Sequence, residues 1–231
     1  MLRVTEVESG YGDLTILRRI SFELAPGEVL AVLGHNGVGK STLLRTIIGQ
    51  LRARKGEISY AGKSLLGLKP YHIANRGISY IPQEAALFPD LSVVKNLRVA
   101  FGNRKDFDTA CDHALAAFPF LRNRLHQRAG TLSGGEQKML LVARSMLVSP
   151  RLILADEVTE GVQPMQVSRI AEVLRACREH DGTAMLIVEQ HLDFALGIAD
   201  RFVLIKQGLI VDAGTSSSLG ARVEIERQLA L

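Results

Sequence analysis

The sequence predicts an α/β fold, and three observations carry that prediction. A glycine-rich loop lies between an apolar strand and a helix. After Pro150, buried strands alternate with helices. Between these regions the pattern turns helical over roughly residues 84–150. Such alternation builds a parallel-sheet core, here interrupted by a helical insert. The chain reads as one domain over residues 1–231. Its core lies at about 1–83 and 151–231, and its helical subdomain at about 84–150.

Each element has its local reason. Residues 15–24 read as a strand, Pro26-Gly27 as a turn and residues 28–33 as a second strand. The glycine loop occupies 34–39. Residues 40–48 read as a helix stopped by Gly49. Residues 56–60 and 77–81 are further strands. From 92 to about 125 the pattern is mostly helical, with a periodic helix at 106–118 ended by Pro119, and a long apolar helix follows at 135–148. Residues 151–155 form a buried strand, 165–179 a helix, 183–188 a buried strand and 191–198 a helix. Residues 202–206 and 209–211 make a hairpin around Gln207-Gly208.

Bulk properties narrow the function classes. The hydrophobic fraction is 47% and the charged fraction 23%, ordinary for a globular protein. The net charge of +4 is too mild to argue for nucleic acid. Cys111 and Cys177 lie far apart without metal spacing and read as reduced thiols. The first ten residues carry no apolar signal-peptide core. No apolar stretch reaches the ~18 residues of a membrane span, so any membrane role must come through a partner.

Gly34-His35-Asn36-Gly37-Val38-Gly39-Lys40-Ser41 matches the phosphate-loop pattern, with Thr42 next. Phosphates need many N–H donors aimed at one point. Glycines permit the tight turn that aims them, and the helix N-terminus adds positive potential. Lys40 supplies a point charge for the terminal phosphates of ATP, and the Ser41 hydroxyl a ligand for Mg²⁺. A chance match arises in roughly one chain in a hundred of this length. The preceding strand and following helix weigh against chance.

Residues 152–157 are an apolar strand ending in Asp156 and Glu157. In phosphate-loop enzymes an Asp at the end of such a strand holds Mg²⁺, usually through water. Glu157, next to it, is placed to polarise an attacking water. Alone, the pair would read as a solvated strand end.

Leu132-Ser133-Gly134-Gly135-Glu136-Gln137 lies between these two motifs. By itself it is a turn before a helix. In this order of elements it resembles the signature motif of ABC ATPases, and the resemblance covers nearly the whole chain, 4 to about 214. The resemblance implies a phosphate-loop ABC cassette with an antiparallel β subdomain. It gives Tyr11 the adenine-stacking role, the alternative being an edge tyrosine. It makes Gln83 a contact of Mg²⁺ and the attacking water. It places Phe88-Pro89-Asp90-Leu91 where a membrane subunit docks, the alternative being an ordinary loop. It pairs two cassettes head to tail, so that Ser133, Gly134 and Gly135 of one face the ATP held by the other.

Finer features resemble the second ATPase of branched-chain amino acid and urea importers: the phosphate loop itself, Thr159-Glu160-Gly161-Val162-Gln163-Pro164 and Val188-Glu189-Gln190. This implies a second cassette, identical or different, integral membrane permeases and, indirectly, a periplasmic solute-binding protein. It implies a peripheral position on the cytoplasmic face of the inner (plasma) membrane of a bacterium or archaeon. It also implies no C-terminal regulatory domain of the sugar-importer kind. Two alternatives stay open: a lipid or lipopolysaccharide exporter, and a soluble cofactor-assembly ATPase. Only 49 residues separate Gln83 from Ser133, too few for the coiled coils of chromosome ATPases.

Three positions depart from the family pattern. Val158 stands where proline usually follows the catalytic Glu, which loosens the turn. Gln163 replaces an Asp of the inter-subunit loop. The switch histidine falls at Gln190, counted from Ala199-Asp200-Arg201, with His191 one residue later. Either His191 reaches the γ-phosphate after a one-residue slip, or Gln190 serves as a neutral donor, or His191 merely caps its helix. His35, His72, His113, His126 and His180 have no metal spacing and read as structural or surface residues.

Overall fold

Strand β3 (Val29–Leu33) is buried at all five positions. Its even residues Leu30 and Val32 join one apolar core, and its odd residues join another. A strand covered on both faces needs such an unbroken apolar run. Strands β7 (Leu152–Asp156) and β8 (Ala184–Glu189) share this pattern and are also wholly buried.

The computed structural model describes residues 1–83, 86–102, 104–217 and 221–230. A six-stranded sheet runs in the order β10-β9-β3-β8-β7-β6, where β6 is Ile78–Ile81, β9 Arg201–Lys206 and β10 Leu209–Thr215. All neighbours are parallel except β9 and β10, the expected hairpin. A second, antiparallel sheet runs β2-β1-β4-β5, from β1 (Leu2–Tyr11), β2 (Leu14–Leu24), β4 (Ala53–Tyr60) and β5 (Lys63–Ser64). Helix α1 (Lys40–Ile47) lies between the two sheets, with Leu43, Leu44 and Ile47 buried in the core they share. Each such side chain contributes about 1.5–3 kcal/mol through burial.

The other face of the parallel sheet carries the larger core. Helices α6 (Pro164–Asp181) and α7 (Leu192–Ile198) pack there through Ile170, Leu174 and Phe194. Between β6 and β7 the chain is helical: α3 (Val93–Phe101), α4 (Phe107–Ala117) and α5 (Gly134–Met146), after the short α2 (Pro70–Ala74) that precedes β6. The expected start of the insert, at residue 84, lies outside the described residues. Pro119 does more than end a helix: α4 stops at Ala117, and a 3-10 helix Pro119–Arg124 begins at the proline, whose fixed φ suits a first helical position.

Candidate active site

The phosphate loop follows from glycine geometry. At Gly34 (φ +153) a Cβ would sit 2.5 Å from the Ile205 carbonyl oxygen, and at Gly39 (φ +109) 2.9 Å from the Ile16 and Leu17 side chains. Only glycine brings the backbone this close to β9 and β2. Gly39 is also the N-cap of α1 and supplies no side-chain cap. The first N–H groups of α1 are therefore left to an anion.

Lys40 is folded back into this loop. Its Nζ donates to the Gly34 carbonyl at 2.8 Å and the His35 carbonyl at 2.9 Å. It also pairs with Glu157 Oε1 at 3.0 Å, the two side chains being 3% and 5% exposed. Glu157 closes β7 in a left-handed conformation, φ +47, which costs an L-residue energy and is held by its surroundings. Its carboxylate gathers two further donors, Gln83 Nε2 at 2.9 Å on Oε2 and Gln190 Nε2 at 3.2 Å on Oε1. Gln83 also donates to Glu160 at 2.6 Å, and Gln190 to Asn36 Oδ1.

Asp156 is fully buried beside them. Its Oδ1 accepts from Ser41 Oγ at 2.9 Å and its Oδ2 from Tyr80 OH at 3.0 Å. Burial pushes the carboxyl up from its ordinary range, and the bonds from Ser41 and Tyr80 pull it back. Burial, reinforced by the Asp156 charge, pushes the Tyr80 phenol up. Ser41 and Asp156 together present oxygen donors of the kind a hard divalent cation takes, so the residues fit Mg²⁺.

Other expected residues lie further out. Tyr11 ends β1, 43% exposed, and its hydroxyl accepts from Arg45 Nη1 of α1 at 3.1 Å. His35 Nε2 meets the Leu229 carbonyl at 2.5 Å, on helix α8 (Ala221–Ala230), which the sequence reading did not foresee. Val38 packs on the core between the sheets, and Thr42 is buried with its carbonyl accepting from Thr46. Gly37 has open space where a Cβ would stand. The structure divides Gln190 from His191. Gln190 faces Glu157, whereas His191 is the N-cap of α7 and its Nδ1 accepts from Phe194 N at 3.1 Å. The site thus gathers Gln190 and leaves His191 in the capping role.

Ser133, Gly134 and Gly135 do not join this cluster. Ser133 caps α5 in a reciprocal capping box with Glu136, at 3.3 Å and 2.8 Å. Gly135 is buried against the Gln166 side chain of α6. The loop 88–92 is tied by the fully buried Asn96, whose amide bonds Phe88, Leu91 and Ser92, while the Phe88 ring is 50% exposed.

Several participants escaped the sequence reading. Tyr80 sits mid-strand with no motif to mark it. Lys138, one turn into α5, donates to the main-chain carbonyls of Gln83 and Glu157. Burial pulls its ammonium pKa down, and acidic neighbours led by Glu160 oppose that. Both cysteines are free and buried, and burial pushes the Cys177 thiol to about 11. Among the described residues no cluster could hold a metal through His, Cys, Asp and Glu alone, and no helix is long and apolar enough to cross a membrane.

Comparison with known proteins decides the family. The ABC transporter family model matches residues 17–160, more than half of the chain. The chain belongs to the ABC transporter family. It is an ABC-type ATPase, a cassette that binds ATP and works with membrane permease components. The cassette is 37% identical over 221 residues to the high-affinity branched-chain amino acid transport ATP-binding protein BraG of Pseudomonas aeruginosa, covering 95% of this chain and 94% of that one. It is 33% identical to the probable branched-chain amino acid transport ATP-binding protein LivF of Archaeoglobus fulgidus, covering 98% and 97%. Cassettes named for ribose import and lipopolysaccharide export also match, at 29% identity. Among solved structures, the ATP-binding subunit of an ABC transporter superposes with a TM-score of 0.85 at 26% identity, covering 100% of this chain and 98% of that one.

Proposed function

We propose that this cassette powers import of branched-chain amino acids, urea or related polar nitrogen compounds by hydrolysing ATP at Glu157. The observation that carries the hydrolytic part is the convergence of Lys40, Gln83 and Gln190 on one carboxylate. Phosphate entering the loop competes with Glu157 for Lys40 Nζ. Binding of ATP therefore frees the carboxylate to orient a water and accept its proton. Gln83 and Gln190 stay as neutral donors that fix its angle. The N–H groups from Gly34 to Thr42, with His35, Asn36, Gly37, Val38 and Gly39 between, cradle the phosphates, and Tyr11 takes the adenine. Ser41 and Asp156, with Gln83, would hold Mg²⁺, which when bound neutralises developing phosphate charge.

Ser133, Gly134 and Gly135 serve the ATP of a second cassette, in a homo- or heterodimer. The exposed Phe88 loop meets integral permeases, and these hold the cassette at the cytoplasmic face of a bacterial or archaeal membrane. A periplasmic solute-binding protein delivers the cargo. Nucleic acid has no part. The full-length match to BraG supports the amino-acid reading over export. The test is co-purification with permeases followed by ATPase measurement. Stimulation by leucine-loaded solute-binding protein is expected. Stimulation by lipopolysaccharide instead, or recovery with a soluble scaffold alone, would overturn the reading.

A further inference from the structure

Glu189 has no part in the site described so far. It ends β8, immediately before Gln190, and is 2% exposed. Its Oε1 accepts the Thr159 backbone N–H at 3.0 Å, and its Oε2 accepts the Thr159 hydroxyl at 2.9 Å. Thr159 is itself buried and lies two residues after Glu157.

The turn carrying Glu157 is strained, and its main-chain bonds to β8 are few. The Glu157 N–H donates to the Val188 carbonyl at 2.9 Å, and the Glu160 N–H reaches the Glu157 carbonyl only at 3.4 Å. Lys138 Nζ also donates to the Glu157 carbonyl, and the Val162 N–H to the Thr159 carbonyl. Beyond the Glu157 N–H, the turn's bonds to β8 come from Thr159, and both of its donors go to one carboxylate. That carboxylate sits on the strand that presents Gln190. One buried side chain, on the residue next to Gln190, thus ties the turn that carries Glu157 to the end of β8.

We propose that Glu189 is a positioning residue for hydrolysis, clamping the 157–160 turn to β8 so that Glu157 and Gln190 keep their mutual angle. The proposal rests on the reading of Glu157 as the water-orienting carboxylate. Chemistry suits a buried clamp. A hydroxyl can donate to a carboxylate or accept from a carboxylic acid, so the Thr159 bond survives either protonation state of Glu189. A clamp that moves a reacting group by an ångström changes rate without touching nucleotide contacts.

The test uses Glu189→Leu, Glu189→Gln and Thr159→Val in the full chain, assembled with its permeases for kinetics. For Glu189→Leu we expect kcat to fall about 10- to 100-fold. Its ATP dissociation constant, measured without divalent cation, should stay within about 2-fold. Hydrogen exchange at Thr159 in the nucleotide-free chain should accelerate. Glu189→Gln should restore both readouts, because its amide can accept from the Thr159 N–H and donate to the hydroxyl. Should Glu189→Leu not fold, Thr159→Val removes the hydroxyl alone and should lower kcat with ATP affinity intact. Equal losses in the Leu and Gln variants would overturn the proposal, as would loss of ATP binding in step with kcat. Hydrolysis that survives Glu157→Gln would overturn it through the reading beneath it, whatever the exchange rates show.

Discussion

Replacing Glu157 with glutamine should weaken the nucleotide-free chain and tighten its grip on ATP. The pair it forms with Lys40 is 3.0 Å long with side chains 3% and 5% exposed. Two unit charges at that distance attract by about 5–6 kcal/mol at an effective dielectric of about 20. Part of this is returned, because one charge fewer is buried. Breaking a buried pair by removing one partner costs about 3–5 kcal/mol. The amide keeps the shape and one acceptor oxygen, and Lys40 keeps its two carbonyls, so about 3 kcal/mol is expected. For a chain of this size that lowers the melting temperature by about 6–12 °C. With ATP bound, Lys40 pairs with phosphate in both proteins, so the penalty vanishes. The ATP affinity of the variant should therefore rise about 100-fold. Thermal melts and calorimetric titration with ATP in chelator check both values. A variant that melts with the wild type and binds ATP equally would refute the competition between Glu157 and phosphate for Lys40.

Glu189 makes stability depend on pH. Burial pushes its carboxyl from an ordinary 4.5 to about 7, with Glu157 the acidic neighbour that adds to the rise. The folded chain therefore holds this proton more tightly than the unfolded chain, and the associated stability, about 3 kcal/mol, is present below pH 4.5 and lost as pH rises through 7. Urea melts from pH 4 to 8 should show that slope in the wild type and a shallower one in Glu189→Gln, where the raised Asp156 carboxyl still contributes; identical slopes would contradict the assignment. Tyr80→Phe deletes the bond to Asp156 and should cost about 1–2 kcal/mol in nucleotide-free urea melts. Gly34→Ala drives a methyl against the Ile205 carbonyl; it should cost at least about 1–3 kcal/mol and lower ATP affinity in the same titration. Ser133→Ala removes one arm of the capping box and should cost about 1 kcal/mol, read from urea melts.

The chemistry of the site was more legible in the sequence than its wiring. Strands β3, β7 and β8 announce themselves because burial on both faces demands unbroken apolar runs. Gly34 and Gly39 are legible because the loop's backbone must pass where no Cβ fits. Strand β1 escaped delimitation, since its outer face is wet and two irregularities break its pairing with β4. Helix α8 escaped because, among its described residues, Ile225 alone is fully buried, with Leu229 packed beside the core. Tyr80, Lys138 and Glu189 escaped for a different reason. Each acts through a partner more than 15 residues away, and no local pattern encodes such a bond. Adjacent residues posed the same problem at the switch position. Spacing alone left Gln190 and His191 competing, while the end of β8 aims one at Glu157 and gives the other the cap of α7.

The proposed function requires that transport be coupled to hydrolysis at Glu157. Proteoliposomes that reconstitute the proposed importer, with a second cassette, permeases and a leucine-loaded solute-binding protein, would allow phosphate release and leucine uptake to be followed together. The wild type should show both, in a fixed ratio, and Glu157→Gln in this chain should lower both together while ATP remains bound. Leucine uptake that continues at the wild-type rate in that variant would contradict the coupling.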